Sequence, residues 1–193
     1  MSFPAERFAD PSQIAEAVSA LARRIDRDHA DADPVMVGVL KGCMPFLADL
    51  SRAMQTTPVI DFLAVSRFGD EAKQGGVVRI LKDLDEEVRG RPVVIVEDIV
   101  DTGLTPSYLR RLLAARAPSS LRLCGLLDRR AARTGSLSVE YAGFEAPQGY
   151  LVGYGLDLDE DLRDLRSLWL LHDVEAFSDP EMRKALRERD RTG

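Results

Sequence analysis

Cysteine is scarce in this sequence: Cys43 and Cys124 stand alone, far apart and outside any C-x-x-C arrangement, which leaves no disulfide framework and no thiolate metal site. No apolar run approaches the roughly 18 residues of a membrane span. The N-terminus lacks the basic start and apolar stretch of a signal peptide. Together these absences predict a protein of the reducing cytoplasm with no membrane partner. Positive charge is also in deficit, since 26 Lys+Arg against 32 Asp+Glu give a formal charge of −6. A general polyanion surface needs the opposite balance, so nucleic acid is not expected as a partner. With 14 Gly and 10 Pro, collagen-like and low-complexity readings fall away as well. Neither G-x-G-x-x-G nor G-x-x-x-x-G-K-[ST] occurs, which removes the dinucleotide fingerprint and the Walker A loop.

What is present is the composition of a globular protein, 45% hydrophobic and 30% charged over 193 residues, a length that predicts one domain, residues 1–193. Asp10-Pro11-Ser12-Gln13 reads as a capping box with proline at the first helical position. Ile14, Val18, Leu21 and Ile25 follow at helical spacing. The run from Val35 to Leu40 predicts a strand, Lys41-Gly42 a loop, and Phe46, Leu47, Leu50 and Met54 an amphipathic helix. Further strands are expected at Val59 to Ser66, Val77 to Leu81, Pro92 to Val96 and Leu121 to Leu127, with a helix from Pro106 through Leu113. The polar connector from Arg67 to Gly76 predicts a mobile hairpin loop.

Strands that alternate with helices, and whose apolar runs are continuous, predict an α/β fold with a central, mostly parallel sheet flanked by helices. Short apolar runs at Tyr141 to Phe144, Tyr150 to Val152 and Leu168 to Leu171 predict a small C-terminal hood of short strands. The tail, about residues 178–193, mixes Arg183, Lys184, Arg187, Arg189 and Arg191 with acids and reads as a solvated helix or frayed end.

Chemistry concentrates in Val93-Val94-Ile95-Val96-Glu97-Asp98-Ile99-Val100-Asp101-Thr102-Gly103-Leu104-Thr105. A buried strand delivers two carboxylates to its carboxyl end, where ligands of open α/β sheets bind. Thr105 is placed as an N-cap with Pro106 after it, so amides and hydroxyls from Thr102 to Thr105 form an anion cradle at a helix N-terminus. Carboxylates accept hydroxyl protons, so acids beside a phosphate cradle suit a ribose 5-phosphate.

This segment resembles the signature of the phosphoribosyltransferases: an apolar strand, two acids and a D-T-G-x-T turn. Val39-Leu40-Lys41-Gly42, Asp61 to Ser66, Val78 to Asp85, Gly143-Phe144-Glu145 and Val152-Gly153-Tyr154-Gly155-Leu156-Asp157 extend the resemblance to the hypoxanthine-guanine branch, over about residues 8–171. That resemblance implies a type I fold and transfer of the phosphoribosyl group from phosphoribosyl pyrophosphate to hypoxanthine or guanine, giving IMP or GMP and pyrophosphate. It also implies Mg2+ and a homodimer or homotetramer. A relative using xanthine or a pyrimidine, or a non-catalytic RNA-binding regulator on the same fold, would share much of the pattern.

The resemblance implies roles residue by residue. Asp101 takes the position of the general base near the purine N7; its structural alternative is a helix-entry capping carboxylate. Glu97 and Asp98 hold the ribose hydroxyls directly or through magnesium, and Asp157 takes the place of a second magnesium ligand within a segment that builds the purine pocket. Alone, Asp157 reads as a solvated acid. Lys41, Gly42 and Arg163 meet pyrophosphate, with a non-proline cis peptide implied at Lys41-Gly42, and Thr102, Gly103, Leu104 and Thr105 surround the 5-phosphate. Tyr150 stacks on the purine and Leu151 offers it main-chain polar groups. Arg129 stands where the branch usually has a lysine that donates to the purine 6-oxo group, and Arg67-Phe68 stand where its mobile loop commonly has Ser-Tyr.

The remaining candidates read as structural. His29 and His172 are isolated, Cys124 and Trp169 are expected in the core, and Cys43 borders the anion loop as an oxidisable thiol if exposed.

Overall fold

The computed structural model describes residues 3–68, 77–133 and 135–192. Six strands form the main sheet: β2 (Val35–Leu40), β3 (Val59–Phe68), β4 (Val77–Lys82), β5 (Pro92–Val100), β6 (Ser120–Asp128) and β7 (Tyr141–Glu145). Their order is β4-β3-β2-β5-β6-β7, parallel throughout except where β4 returns antiparallel to β3. A second sheet joins β1 (Ala5–Ala9), β9 (Leu168–Leu171) and β8 (Tyr150–Val152) in that order, antiparallel. No described helix is long and apolar enough to cross a membrane.

Both faces of the main sheet are covered, which is why its central strands read as unbroken apolar runs. Helix α1 (Pro11–Asp28) starts as expected, with Asp10 accepting from the amides of Ser12 and Gln13 while the Gln13 side chain accepts from the Asp10 amide. Its Ile14, Val18, Leu21 and Ile25 pack with Phe46, Leu47 and Leu50 of α2 (Met44–Ala53) against Met36, Val94 and Val96. On the opposite face, Leu109 and Leu113 of α3 (Leu104–Ala114) meet Val35, Val37, Val93 and Ile95.

Four expectations are corrected. Strand β5 runs on to Val100, so Glu97 and Asp98 sit within the strand rather than after it. Tyr141 to Phe144 belong to the main sheet as β7, and the hood takes β1 in their place. Helix α3 opens at Leu104 with Gly103 as its N-cap, so Thr105 and Pro106 lie inside the first turn and Thr105 is no cap. The charged tail is a docked helix, α4 (Pro180–Thr192): Leu186 is fully buried among Leu162, Leu165, Trp169 and Phe177.

The hairpin connector is shorter than the sequence implied. Arg67 and Phe68 continue β3, paired with Val78 and Val77. The rest of the expected loop, 69–76, lies outside the described residues.

Candidate active site

Strand β5 carries its acids to the sheet edge between β2 and β6. Glu97 is buried and Asp98 partly so. The loop after β2 presses against Asp98: a Cβ added to Gly42 would overlap the Asp98 carboxylate, so only glycine lets this backbone approach. The same Cβ construction on Gly155 strikes the Gly42 carbonyl, which wedges the loop between β5 and the segment after β8. The cis peptide bond joins Leu40 to Lys41, one bond before the position expected.

Burial pushes the Asp98 carboxyl up to about 6, against the amide of Ile99 and the positive charge of Arg163, which favour its ionised form. A carboxylate so placed gains from a hydroxyl donor or a cation. The anion turn follows directly. Gly103 has φ +81°, a left-handed conformation that glycine adopts without strain, and this bends the chain from β5 into α3. The first-turn amides of α3 therefore open at the same edge as the acids.

A second cluster closes the other side. Arg163 donates to the Gly155 carbonyl at 2.8 Å and pairs with Asp157 Oδ1 at 2.8 Å and Glu160 at 3.3 Å. Lys41 reaches across from the β2 loop to Glu160 at 2.9 Å, which holds that carboxyl below its ordinary range. Lys41, Gly42, Asp98, Asp157 and Arg163 are thus brought together from three parts of the chain.

Asp101 and Arg129 form a third group. The Arg129 guanidinium donates to Asp101 Oδ2 at 3.1 Å, to the Pro147 carbonyl at 3.1 Å and to the Gly149 carbonyl at 2.8 Å. Asp101 Oδ1 is buried with no hydrogen-bond partner among the described residues. Next to Gly149, the half-exposed Tyr150 donates its hydroxyl to the Asp157 carbonyl, linking this group to the Arg163 cluster. Leu151 is buried in the core, its backbone paired with Leu170, and its side chain takes no part.

The structure adds contacts that spacing alone did not reveal. The carbonyls of Pro147 and Gly149 are invisible to a reading of side-chain types, and no pattern ties Lys41 to Glu160. It also corrects Cys43, which is fully buried: burial first, then the charges of Asp98 and Glu97, push its thiol well above the ordinary range, so it is no oxidisable surface thiol. His29 is buried at the end of α1 and His172 is half-exposed.

A phosphoribosyl transferase domain model matches residues 5–159. The chain belongs to the phosphoribosyltransferase family. It is 46% identical to the hypoxanthine-guanine phosphoribosyltransferase of Mycobacterium avium over 159 residues, 79% of this chain and 78% of that one. With the hypoxanthine phosphoribosyltransferase of Escherichia coli it shares 40% identity over 167 residues, 86% of this chain and 94% of the relative. Among solved structures, a hypoxanthine-guanine phosphoribosyltransferase of Bacillus anthracis superposes with a TM-score of 0.83 at 37% identity, covering 86% of this chain and 98% of that one.

Proposed function

We propose that this chain is a purine salvage enzyme that transfers the phosphoribosyl group from phosphoribosyl pyrophosphate to hypoxanthine or guanine, releasing pyrophosphate. One observation carries the residue roles: Asp98 lies against the β2 loop at Gly42, within the field of Arg163, and directly ahead of the anion turn. Ribose acceptors, pyrophosphate donors and a 5-phosphate cradle then line a single edge.

In this reading Glu97 and Asp98 accept the ribose hydroxyls. The amides of Thr102, Gly103, Leu104 and Thr105 take the 5-phosphate, where the α3 dipole favours negative charge. Lys41, Gly42 and Arg163 receive the pyrophosphate as it departs. Asp101, whose Oδ1 meets no donor among the described residues, accepts the proton that leaves the purine N7 as N9 bonds to the anomeric carbon and pyrophosphate departs. Tyr150 stacks on the purine, Leu151 offers it main-chain polar groups, and Arg129 donates to its 6-oxo group.

Magnesium fits the residues present. Among the described residues no group of three or more His, Cys, Asp or Glu is arranged to hold a metal ion. Glu97, Asp98 and Asp157 nonetheless offer the oxygen-only donors that magnesium takes one or two at a time, with phosphate and water filling the rest of its octahedron. Bound there, it would neutralise charge on the departing pyrophosphate.

The deciding assay is pyrophosphate release from phosphoribosyl pyrophosphate and Mg2+ with hypoxanthine, guanine, xanthine, adenine or uracil in turn. Release with hypoxanthine or guanine supports the reading. Release with xanthine or uracil alone would move the substrate, and none with any base would overturn the enzyme assignment.

A further inference from the structure

Between residues 157 and 164 the chain carries five acids, Asp157, Asp159, Glu160, Asp161 and Asp164, and a single arginine, Arg163. Left to itself such a loop repels both its own carboxylates and an incoming pyrophosphate. It is also bent against preference: Asp159, Glu160 and Leu162 have φ of +53°, +64° and +69°, left-handed values that non-glycine residues hold only where the surroundings impose them.

The loop pairs Leu158 with Asp161 through its own backbone, and helix α4 engages its carboxylates. Arg183 donates to Asp159 at 3.1 Å and to Asp161 at 3.3 Å, and its Nε donates to the Phe177 carbonyl at 2.5 Å. Arg187 forks onto Asp164, with Nε at 3.0 Å from Oδ2 and Nη2 at 3.0 Å from Oδ1, and also pairs with Asp161. Both arginine side chains are largely covered, at 17% and 26% exposure, and their pairs with Asp161 are partly buried, whereas Asp159 and Asp164 keep one side open to water. One turn on, Asp190 accepts from the amides of Arg166 and Ser167 and from the Trp169 indole, which anchors the far end of the same segment. Three of the five acids are thereby engaged by α4. Asp157 and Glu160 are left to Arg163 and Lys41 at the candidate pyrophosphate cluster.

We infer that Arg183 and Arg187 are positioning residues: α4 acts as a strap that neutralises and shapes the 157–164 loop so that Asp157 and Arg163 are held for pyrophosphate. The inference rests on the proposed reaction only for its catalytic consequence. The loop's order can be measured without turnover. The family model matches residues 5–159, and α4 lies beyond that range.

The test uses the full chain carrying Arg183→Gln and Arg187→Gln, with Arg187→Lys as a milder variant. Hydrogen exchange at 157–166 should accelerate in the double variant while β2, β5 and β6 keep their protection. In steady state, KM for phosphoribosyl pyrophosphate should rise about tenfold or more, because displacing positioned groups by an ångström can cost about a hundredfold. KM for the purine should change less than that for phosphoribosyl pyrophosphate, since Arg129 with the Pro147 and Gly149 carbonyls lies outside the strapped loop and only the Tyr150 hydroxyl reaches it. Arg187→Lys, which keeps the charge but not the fork, should fall between. Unchanged exchange at 157–166 would overturn the strap whatever the activity, and so would equal losses for both substrates with protection lost throughout. Wild-type protein that turns over no purine would instead count against the proposed reaction, leaving the exchange result to decide the strap.

Discussion

Arg129 donates to Asp101 Oδ2 at 3.1 Å while the same guanidinium holds the carbonyls of Pro147 and Gly149. One side chain therefore ties the proposed base to the wall of the proposed purine pocket. Arg129→Met breaks all three links and leaves two carbonyls without a donor. We expect kcat/KM with 6-oxopurines to fall by about tenfold to a hundredfold, matching the roughly 1.5–3 kcal/mol of a hydrogen bond to a charged group. Arg129→Lys should retain activity, because an ammonium still reaches one or two acceptors. Kinetics with hypoxanthine and guanine decide it; unchanged values for Met would make Arg129 a purely structural residue.

Asp101→Asn keeps the shape but not the base. Turnover should fall by about 10²–10⁴, the usual range for a general acid–base group, with a much smaller change in phosphoribosyl pyrophosphate affinity. Single-turnover kinetics separate the two. A variant that binds poorly but reacts at the normal rate would move the base elsewhere.

Gly42→Ala places a methyl against the Asp98 carboxylate. Either the β2 loop or Asp98 must then shift, at about 1–3 kcal/mol for overpacking a tight site. Weaker phosphoribosyl pyrophosphate binding with a modestly lower melting temperature is expected, and calorimetry of both would register it. Full affinity would mean the loop does not need this approach.

Asp190 gives a pH signature. Burial opposes its ionisation, but the N–H donors of Trp169, Ser167 and Arg166 outweigh burial and hold its carboxyl below the ordinary 3.8. A depressed folded value stabilises the protein above 3.8 and loses that contribution as pH falls through it. Asp190→Asn should therefore melt lower at pH 7, and the gap from wild type should shrink towards about pH 3. Trp169, the sole tryptophan, reports the change through its emission. A gap that is constant with pH would show that the carboxylate charge is irrelevant there.

Both thiols should be inert in the folded state. Burial raises each above its ordinary range, Asp98 and Glu97 raise Cys43 further, and only the thiolate reacts with disulfide reagents. Labelling at pH 8 should track unfolding by denaturant, whereas prompt labelling of one thiol per chain would place Cys43 in contact with solvent.

Much of the fold was legible because local chemistry agreed with the final packing. The Asp10–Gln13 capping box, the β2 run and the apolar part of β5, Pro92 to Val96, needed only their own residues. What escaped depended on distant partners. Ala5 to Ala9 mixes apolar and charged residues and becomes a strand through pairing with β9. Tyr141 to Phe144 looked like hood, yet sheet order is set by pairing with β6. Thr105 beside Pro106 looked like a cap, but Gly103 at positive φ starts α3 two residues earlier. In the tail, the apolar face of Met182 and Leu186 is hidden among charges whose partners lie at 159, 161 and 164. That β5 leads through a short turn into α3 was readable from the sequence, while the Arg129 bridge to two backbone carbonyls was not.

The hood sheet sets an order of events in folding. Ala5 pairs with Leu171, so β1 has no strand neighbour until β9 arrives, and its closure spans nearly the whole chain. Closing so long a loop costs more entropy than a short-range hairpin does, a cost that grows with the logarithm of the separation and slows the step that pays it. The parallel core between β2 and β6 can assemble from nearer segments. The hood, and with it the Trp169 environment, should then be the last region to acquire native structure and the first to leave it.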